Sequence, residues 1–220
     1  MMRRFFLTIP FLLAVATGFA QEPIPVRLEP RHHNVFENPW VRVLDVRIPP
    51  GDTSLMHKHE TPSVFIVLGN TKTGSQVLVE PARVQFSQES IWYESFASSP
   101  RIHRVWNSDT SIFHTIDLEL PNKNPVEIEP PLHRKDMSVL FDEKFVRGYR
   151  LKVGQRAGLY IPKRKAPIVV IGLDQAGGMV TVNDKIFVQK GDWLFVPAGA
   201  ALKFSNKSGE RQSFAVFELK

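Results

Sequence analysis

From Trp40 onward the chain alternates short runs rich in β-branched and aromatic residues with polar breaks, and no run is sustained at the 3.6-residue spacing of a helix face. In the first half these runs are Trp40 to Ile48, Ser63 to Leu68, Gln76 to Val79 and Ile112 to Leu120. In the second they are Ile168 to Ile171, Met179 to Val182, Ile186 to Val188, Trp193 to Val196 and Phe214 to Leu219. Many short strands parted by turn residues predict an all-β sandwich or barrel in each half. Asn183-Asp184 separates two runs by two residues that tolerate positive φ, which predicts a tight hairpin, and Gly191-Asp192 predicts the break before the next strand. An open β-meander with the same hairpins satisfies these local signals equally well.

Four prolines among polar residues between Pro121 and Pro131 resist both helix and central strand. They predict a linker over residues 122–136 between a domain at 21–121 and another at 137–220. Ahead of the first domain, Met1 to Arg4 is basic, and Phe5 to Ala16 is apolar but too short to span a bilayer. Small residues Gly18 and Ala20 follow. Residues 1–20 therefore read as an export signal cut after Ala20, giving a secreted or periplasmic protein with no membrane segment after signal removal; a retained anchor is the alternative.

Composition narrows the chemistry. With 43% hydrophobic and 23% charged residues the chain is neither disordered nor fibrous. It has no cysteine, so disulfides, thiolate metal sites and a catalytic thiol are excluded, and any metal must be held by imidazole or oxygen. The formal charge of +6 loses two units with Arg3 and Arg4, and Lys163-Arg164-Lys165 is the one run of three basic residues. Without a stacking or groove-reading motif this excess argues against a nucleic-acid partner and for a small-molecule ligand. Composition leaves a homodimer open.

His57 and His59 are two apart, so on a strand both rings point to one face. With His103 from another strand they form a candidate triad for one metal ion with open positions. A His-x-His pair alone is a weak sign, and a lone histidine is more often a hydrogen-bonded or surface residue. Glu60 is expected to face solvent. His114 and Asp117 fall on opposite faces of one strand, so one of them faces the interior. His32 and His33 precede the first strong strand and read as surface histidines, and Trp92, Tyr93 and Trp106 read as core before pocket wall.

The wider pattern resembles the cupin superfamily, whose first motif runs G-x5-H-x-H-x3-4-E-x6-G and second G-x5-P-x-G-x2-H-x3-N. Gly51, His57 and His59 fit the first, and His103 with Asn107 fits the end of the second. Ser63 stands at the glutamate, Asn70 at the closing glycine, and Ser98 and Pro100 at the P and G. Gly191, Pro197, Gly199 and Asn206 repeat the second motif with Leu202 at the histidine, while Tyr160 and Pro162 stand at the two histidine offsets from Gly154. The resemblance implies two jelly-roll barrels, a metal-type one and a degenerate one whose interior is sealed around Leu202, Tyr160 and Pro162. It implies a divalent transition metal (Fe, Mn, Ni, Cu or Zn) on His57, His59 and His103. If the protein is an enzyme, it implies an oxidoreductase of dioxygenase type acting on a small oxygen-bearing molecule; a non-catalytic small-molecule-binding cupin is the other reading.

Overall fold

A computed structural model describes residues 22–96 and 98–220. The expected export signal lies outside the described residues. Among the described residues there are four sheets, two in each half of the chain.

In the first half, strands β1 (Ile24–Pro25), β4 (His57–His59), β9 (Arg101–Asn107), β6 (Thr71–Val77) and β7 (Arg83–Ser87) form one sheet in that order. Strands β2 (His32–Glu37), β3 (Arg42–Ile48), β10 (Phe113–Glu119), β5 (Ser63–Val67) and β8 (Ser90–Glu94) form the other. In the second half, β11 (Met137–Asp142), β12 (Val146–Val153), β19 (Gln212–Leu219), β14 (Ile168–Gly172) and β17 (Trp193–Val196) make one sheet. There β13 (Ala157–Ile161), β18 (Leu202–Asn206), β15 (Val180–Val182) and β16 (Lys185–Phe187) make the other. Val182 pairs with Lys185 across Asn183-Asp184, and Asn183 takes φ +50°, so the tight hairpin is present.

The halves repeat each other in detail. β2 is bulged between Asn34 and Phe36 against β3, as β11 is between Val139 and Phe141 against β12. Arg42 pairs with Glu119 across β3 and β10, and Arg147 with Glu218 across β12 and β19. The Asn107 amide donates to the carbonyls of Ile48 and Ser111, and the Asn206 amide to those of Val153 and Glu210. These asparagines close the same turn in each barrel, which explains why both survive when the histidine four residues earlier does not.

β5 and β10 carry alternating residues to two destinations. Val64, Ile66, Ile116 and Leu118 join Val169, Ile171, Ala215 and Phe217 of the second half in one buried cluster. Phe65, Val67, Thr115 and Asp117 line a cavity within the first half. Burial on both faces makes these strands read as near-continuous apolar runs. Phe36 packs on Trp193 (5.2 Å) and Phe195 (5.4 Å), and in the mirrored contact Phe141 packs on Tyr93 (6.3 Å). Gly191, at φ +86°, is seated so closely on His114 and Leu68 that an added Cβ would lie 2.8 Å from each. Between Glu119 and Met137 no strand forms, and the Glu129 carbonyl and carboxylate are held by Arg147, Arg164 and Lys165.

Two expectations are corrected. Gln76 to Val79 is not a strand of its own: β6 runs Thr71–Val77, and Val79 sits at a hairpin tip, 99% exposed at φ +62°. The polar Thr73 and Ser75 hid this strand because they face the cavity, and Gly74 because Trp106 covers it, with an added Cβ falling 1.9 Å from the ring. Tyr160 and Pro162 do not mark the sealed interior. Across the pair β13 and β18, Leu202 faces Ile161, as His103 faces His57 across β9 and β4. Ile161 is fully buried and Tyr160 is 52% exposed, the face reversal that a one-residue slip produces. That interior is filled by Tyr149, Leu151, Ile161, Phe187, Leu202, Phe204 and Phe214.

Candidate metal centre

Two paired strands of the first barrel deliver the candidate donors. β4 carries His57 and His59 on one face, and antiparallel pairing sets His103 of β9 directly across from His57. His57 is wholly buried and His59 is 2% exposed. Nε2 of His59 lies 3.1 Å from Nε2 of His57 and 3.1 Å from Nε2 of His103. Two donors about 2.1 Å from one ion are about 3.0 Å apart at a right angle and about 3.4 Å apart at a tetrahedral angle. Each of these two spacings suits a pair of imidazoles on a single ion, with His59 common to both.

Protonation favours the same use. The His57 Nδ1–H donates to the Leu55 carbonyl at 2.8 Å, which leaves the Nε2 lone pair for a ligand. Burial, with His32 beside it, pushes the His57 imidazole down to about 4. Burial, with His57 and Arg101 beside it, takes His103 down to about 2. His59 falls well below its ordinary range, through burial first and then through His57 and His103. All three are neutral near pH 7, the form a metal requires.

Asp117 stands behind His59. It is the member of the His114/Asp117 pair that faces inward, and it is fully buried. Its Oδ2 lies 3.7 Å from the His59 Nδ1, too far for a hydrogen bond, and among the described residues neither carboxylate oxygen nor that nitrogen has a partner. Ser63, at the position where cupins carry a glutamate, is also buried and donates to the Thr61 carbonyl at 3.1 Å. Burial, then the nearby Glu119, raise the Asp117 pKa well above the usual carboxylate range. The acid thus faces the far nitrogen of His59 without reaching it, and a small movement of either side chain would close the hydrogen bond that orients a metal-bound histidine. His114 instead pairs with Asp45 at 2.8 Å beside the second domain, and Glu60 is exposed and paired with Lys58.

The histidines sit in a cavity of about 320 Å³. Phe96 stacks on His59 at 5.3 Å, Phe65 meets its edge at 5.5 Å, and Trp92 stacks on Phe65 at 5.1 Å. Trp92 thus lines the cavity, whereas Trp106 covers Gly74 and Tyr93 joins the interdomain cluster. Phe96 holds φ +49°, an unfavoured conformation for a bulky residue, at the point where its ring covers the site. Arg83, Arg101 and Gln85 supply polar groups to the cavity wall.

His32 is a correction. It is not a surface histidine: it opens β2, is 8% exposed, and its ring lies 4.6 Å from that of His57. The expectation failed because His33, its exposed neighbour, and the polar residues around it masked the inward position of His32. Ligand atoms of His32, His57 and His59 lie within 4.8 Å of one another. Two overlapping sets thus share His57 and His59, one with His32 and one in which His103 Nε2 lies 3.1 Å from that of His59.

No family model matches the sequence, and neither does any curated protein. Among solved structures the chain is similar to YhhW from Escherichia coli, with a TM-score of 0.59 at 14% identity over 87% of this chain and 89% of that one. It is similar to a salicylate 1,2-dioxygenase from Pseudaminobacter salicylatoxidans, with a TM-score of 0.57 at 11% identity over 84% and 73% of the two chains. A cupin 2 conserved barrel domain protein from Leptotrichia buccalis superposes with a TM-score of 0.50 at 14% identity over 84% and 86%. At these identities the likeness is one of fold, a fold of jelly-roll β-barrels shared with a cupin barrel protein.

Proposed function

We propose that this two-barrel cupin is a metal-dependent oxidoreductase of dioxygenase type acting on a small oxygen-bearing molecule. The observation that carries the reading is the position of the His59 Nε2 atom, 3.1 Å from Nε2 of His57 and 3.1 Å from Nε2 of His103, in an aromatic-lined cavity. A bound divalent transition metal would supply Lewis-acid polarisation of oxygen donors and, if redox-active, an electron path to dioxygen. The chain's own contribution is orientation and exclusion of water. Leu55 fixes the His57 tautomer, Asp117 backs His59, and Phe65, Trp92 and Phe96 offer flat apolar faces to a planar substrate. A small-molecule substrate accords with the neighbours, one of which is a salicylate 1,2-dioxygenase described in adduct with gentisate. The basic and apolar N-terminus supports placing the mature protein in the periplasm or outside the cell.

A second reading has its own observation: N···N distances of 3.1 Å also suit ring-to-ring hydrogen bonds, as in a binding protein that turns nothing over. Metal analysis of protein purified without a histidine tag separates the two. About one ion per chain, with oxygen uptake in the presence of a catechol, diketone, flavonol or hydroxybenzoate, supports the oxidoreductase. Metal-free protein that still binds such compounds supports the second.

A further inference from the structure

Beside the three converging imidazoles lies a fourth whose setting is more elaborate than packing requires. His32 places Nδ1 2.5 Å from the Glu29 Oε2. Glu29 is itself 2% exposed and is held in place by backbone donors, Arg31 N–H at 2.7 Å to Oε2 and Leu55 N–H at 3.0 Å to Oε1. Leu55 is also the residue whose carbonyl fixes His57, so one short segment, Leu55 to His57, braces both histidines. A carboxylate only accepts, so Nδ1 of His32 carries the proton and Nε2 is the nitrogen left for ligation. Among the described residues Nε2 makes no hydrogen bond, and the ring lines the cavity that holds the cluster.

We propose that His32 is a fourth imidazole donor of this centre, pre-set for that role by Glu29. Donors of one ion with bonds of about 2.1 Å are at most about 4.2 Å apart. The His32, His57 and His59 ligand atoms lie within 4.8 Å of one another, so less than about an ångström of side-chain closure brings them into one shell. A carboxylate hydrogen-bonded to the far nitrogen of a ligand histidine fixes its tautomer and strengthens it as a donor. The Glu29–His32 pair has that form ready-made, whereas Asp117 stands 3.7 Å from His59. The ion would then retain two open positions if six-coordinate, enough for a bidentate substrate or for substrate and dioxygen together.

This inference rests on the metal-binding reading above, and the test keeps the two apart. The mature chain is loaded with Zn(II) for competition titration and with Cu(II) for pulsed electron paramagnetic resonance, which counts coupled imidazoles. His32→Asn retains an amide donor for Glu29 but removes the ligating nitrogen. It should lower Zn(II) affinity at least about 100-fold and remove one imidazole from the Cu(II) count, with metal-free Tm little changed. Glu29→Gln should lower affinity roughly 10- to 100-fold, and His33→Ala, on the exposed face, should do nothing. Wild-type affinity and an unchanged imidazole count in His32→Asn, with binding lost in His57→Ala, overturn the fourth ligand and leave the triad standing. Should His32→Asn not fold, Glu29→Gln decides, and unchanged affinity there overturns the proposal. Wild-type protein that binds neither metal removes the underlying reading and this inference with it.

Discussion

Replacing Asp117 by leucine should stabilise the metal-free protein while weakening its hold on metal. Asp117 is fully buried, and among the described residues both carboxylate oxygens lack partners. A buried polar group without a hydrogen bond costs about 1–3 kcal/mol, and leucine has room because the side chain faces the cavity. For a chain of this length each kcal/mol moves Tm by about 2–4 °C, so an increase of roughly 2–12 °C is expected near pH 7. The sign of the pH dependence follows from the raised folded-state pKa. The unfolded carboxyl ionises near 4 while the folded one stays protonated, so the contribution of Asp117 to stability falls by up to about 1.4 kcal/mol per pH unit above that point, against the opposite trend of the buried histidines, until the folded group also ionises. The advantage of Asp117→Leu should accordingly shrink as pH is lowered to 4. Loss of the carboxylate behind His59 should at the same time lower metal affinity about 10- to 100-fold. Calorimetric scans at several pH values with chelator, and a metal titration, read both effects. A Tm that drops at every pH, with affinity unchanged, would refute the account of Asp117.

Other outcomes follow from the same geometry. His57→Ala, His59→Ala and His103→Ala should each lower Zn(II) affinity by more than about 100-fold, since structural zinc binding of about 10–16 kcal/mol is shared among a few donors; competition titration checks this. The Tm of metal-free protein should fall as pH drops from 6.5 toward 4, because His57 and its neighbours are neutral when folded but take up protons when unfolded, so the unfolded state binds more. A flat Tm across that window would place the rings in a more solvated setting. Phe217→Ala, at the fully buried contact between the halves, should cost about 3–5 kcal/mol in a denaturant titration.

The strands buried on both faces were legible in the sequence, because Val64 to Val67 and Ile168 to Ile171 present apolar residues to both sides. β6 was not, since its cavity-facing threonine and serine imitate a turn. The His57/His59 face follows from period two, and their meeting with His103 follows from motif spacing, which fixes strand pairing that local patterning does not. The same spacing slipped by one residue at Tyr160, where β13 lacks a histidine to mark its inward face. His32 was missed because its partner Glu29 lies in the turn before β2, and only tertiary contact with His57 gives that pair a destination. The spacing Glu29-x-x-His32, an acid able to back a histidine, was the signal available.

The central claim is that imidazoles of the first barrel share one metal ion. X-ray absorption at the metal edge of protein loaded with one equivalent of Zn(II) measures this directly. The account predicts three or four nitrogen scatterers at about 2.0–2.1 Å with the outer-shell pattern of imidazole, and loss of that pattern in His59→Ala. An oxygen-only shell, or an imidazole signal that His59→Ala leaves intact, would contradict it.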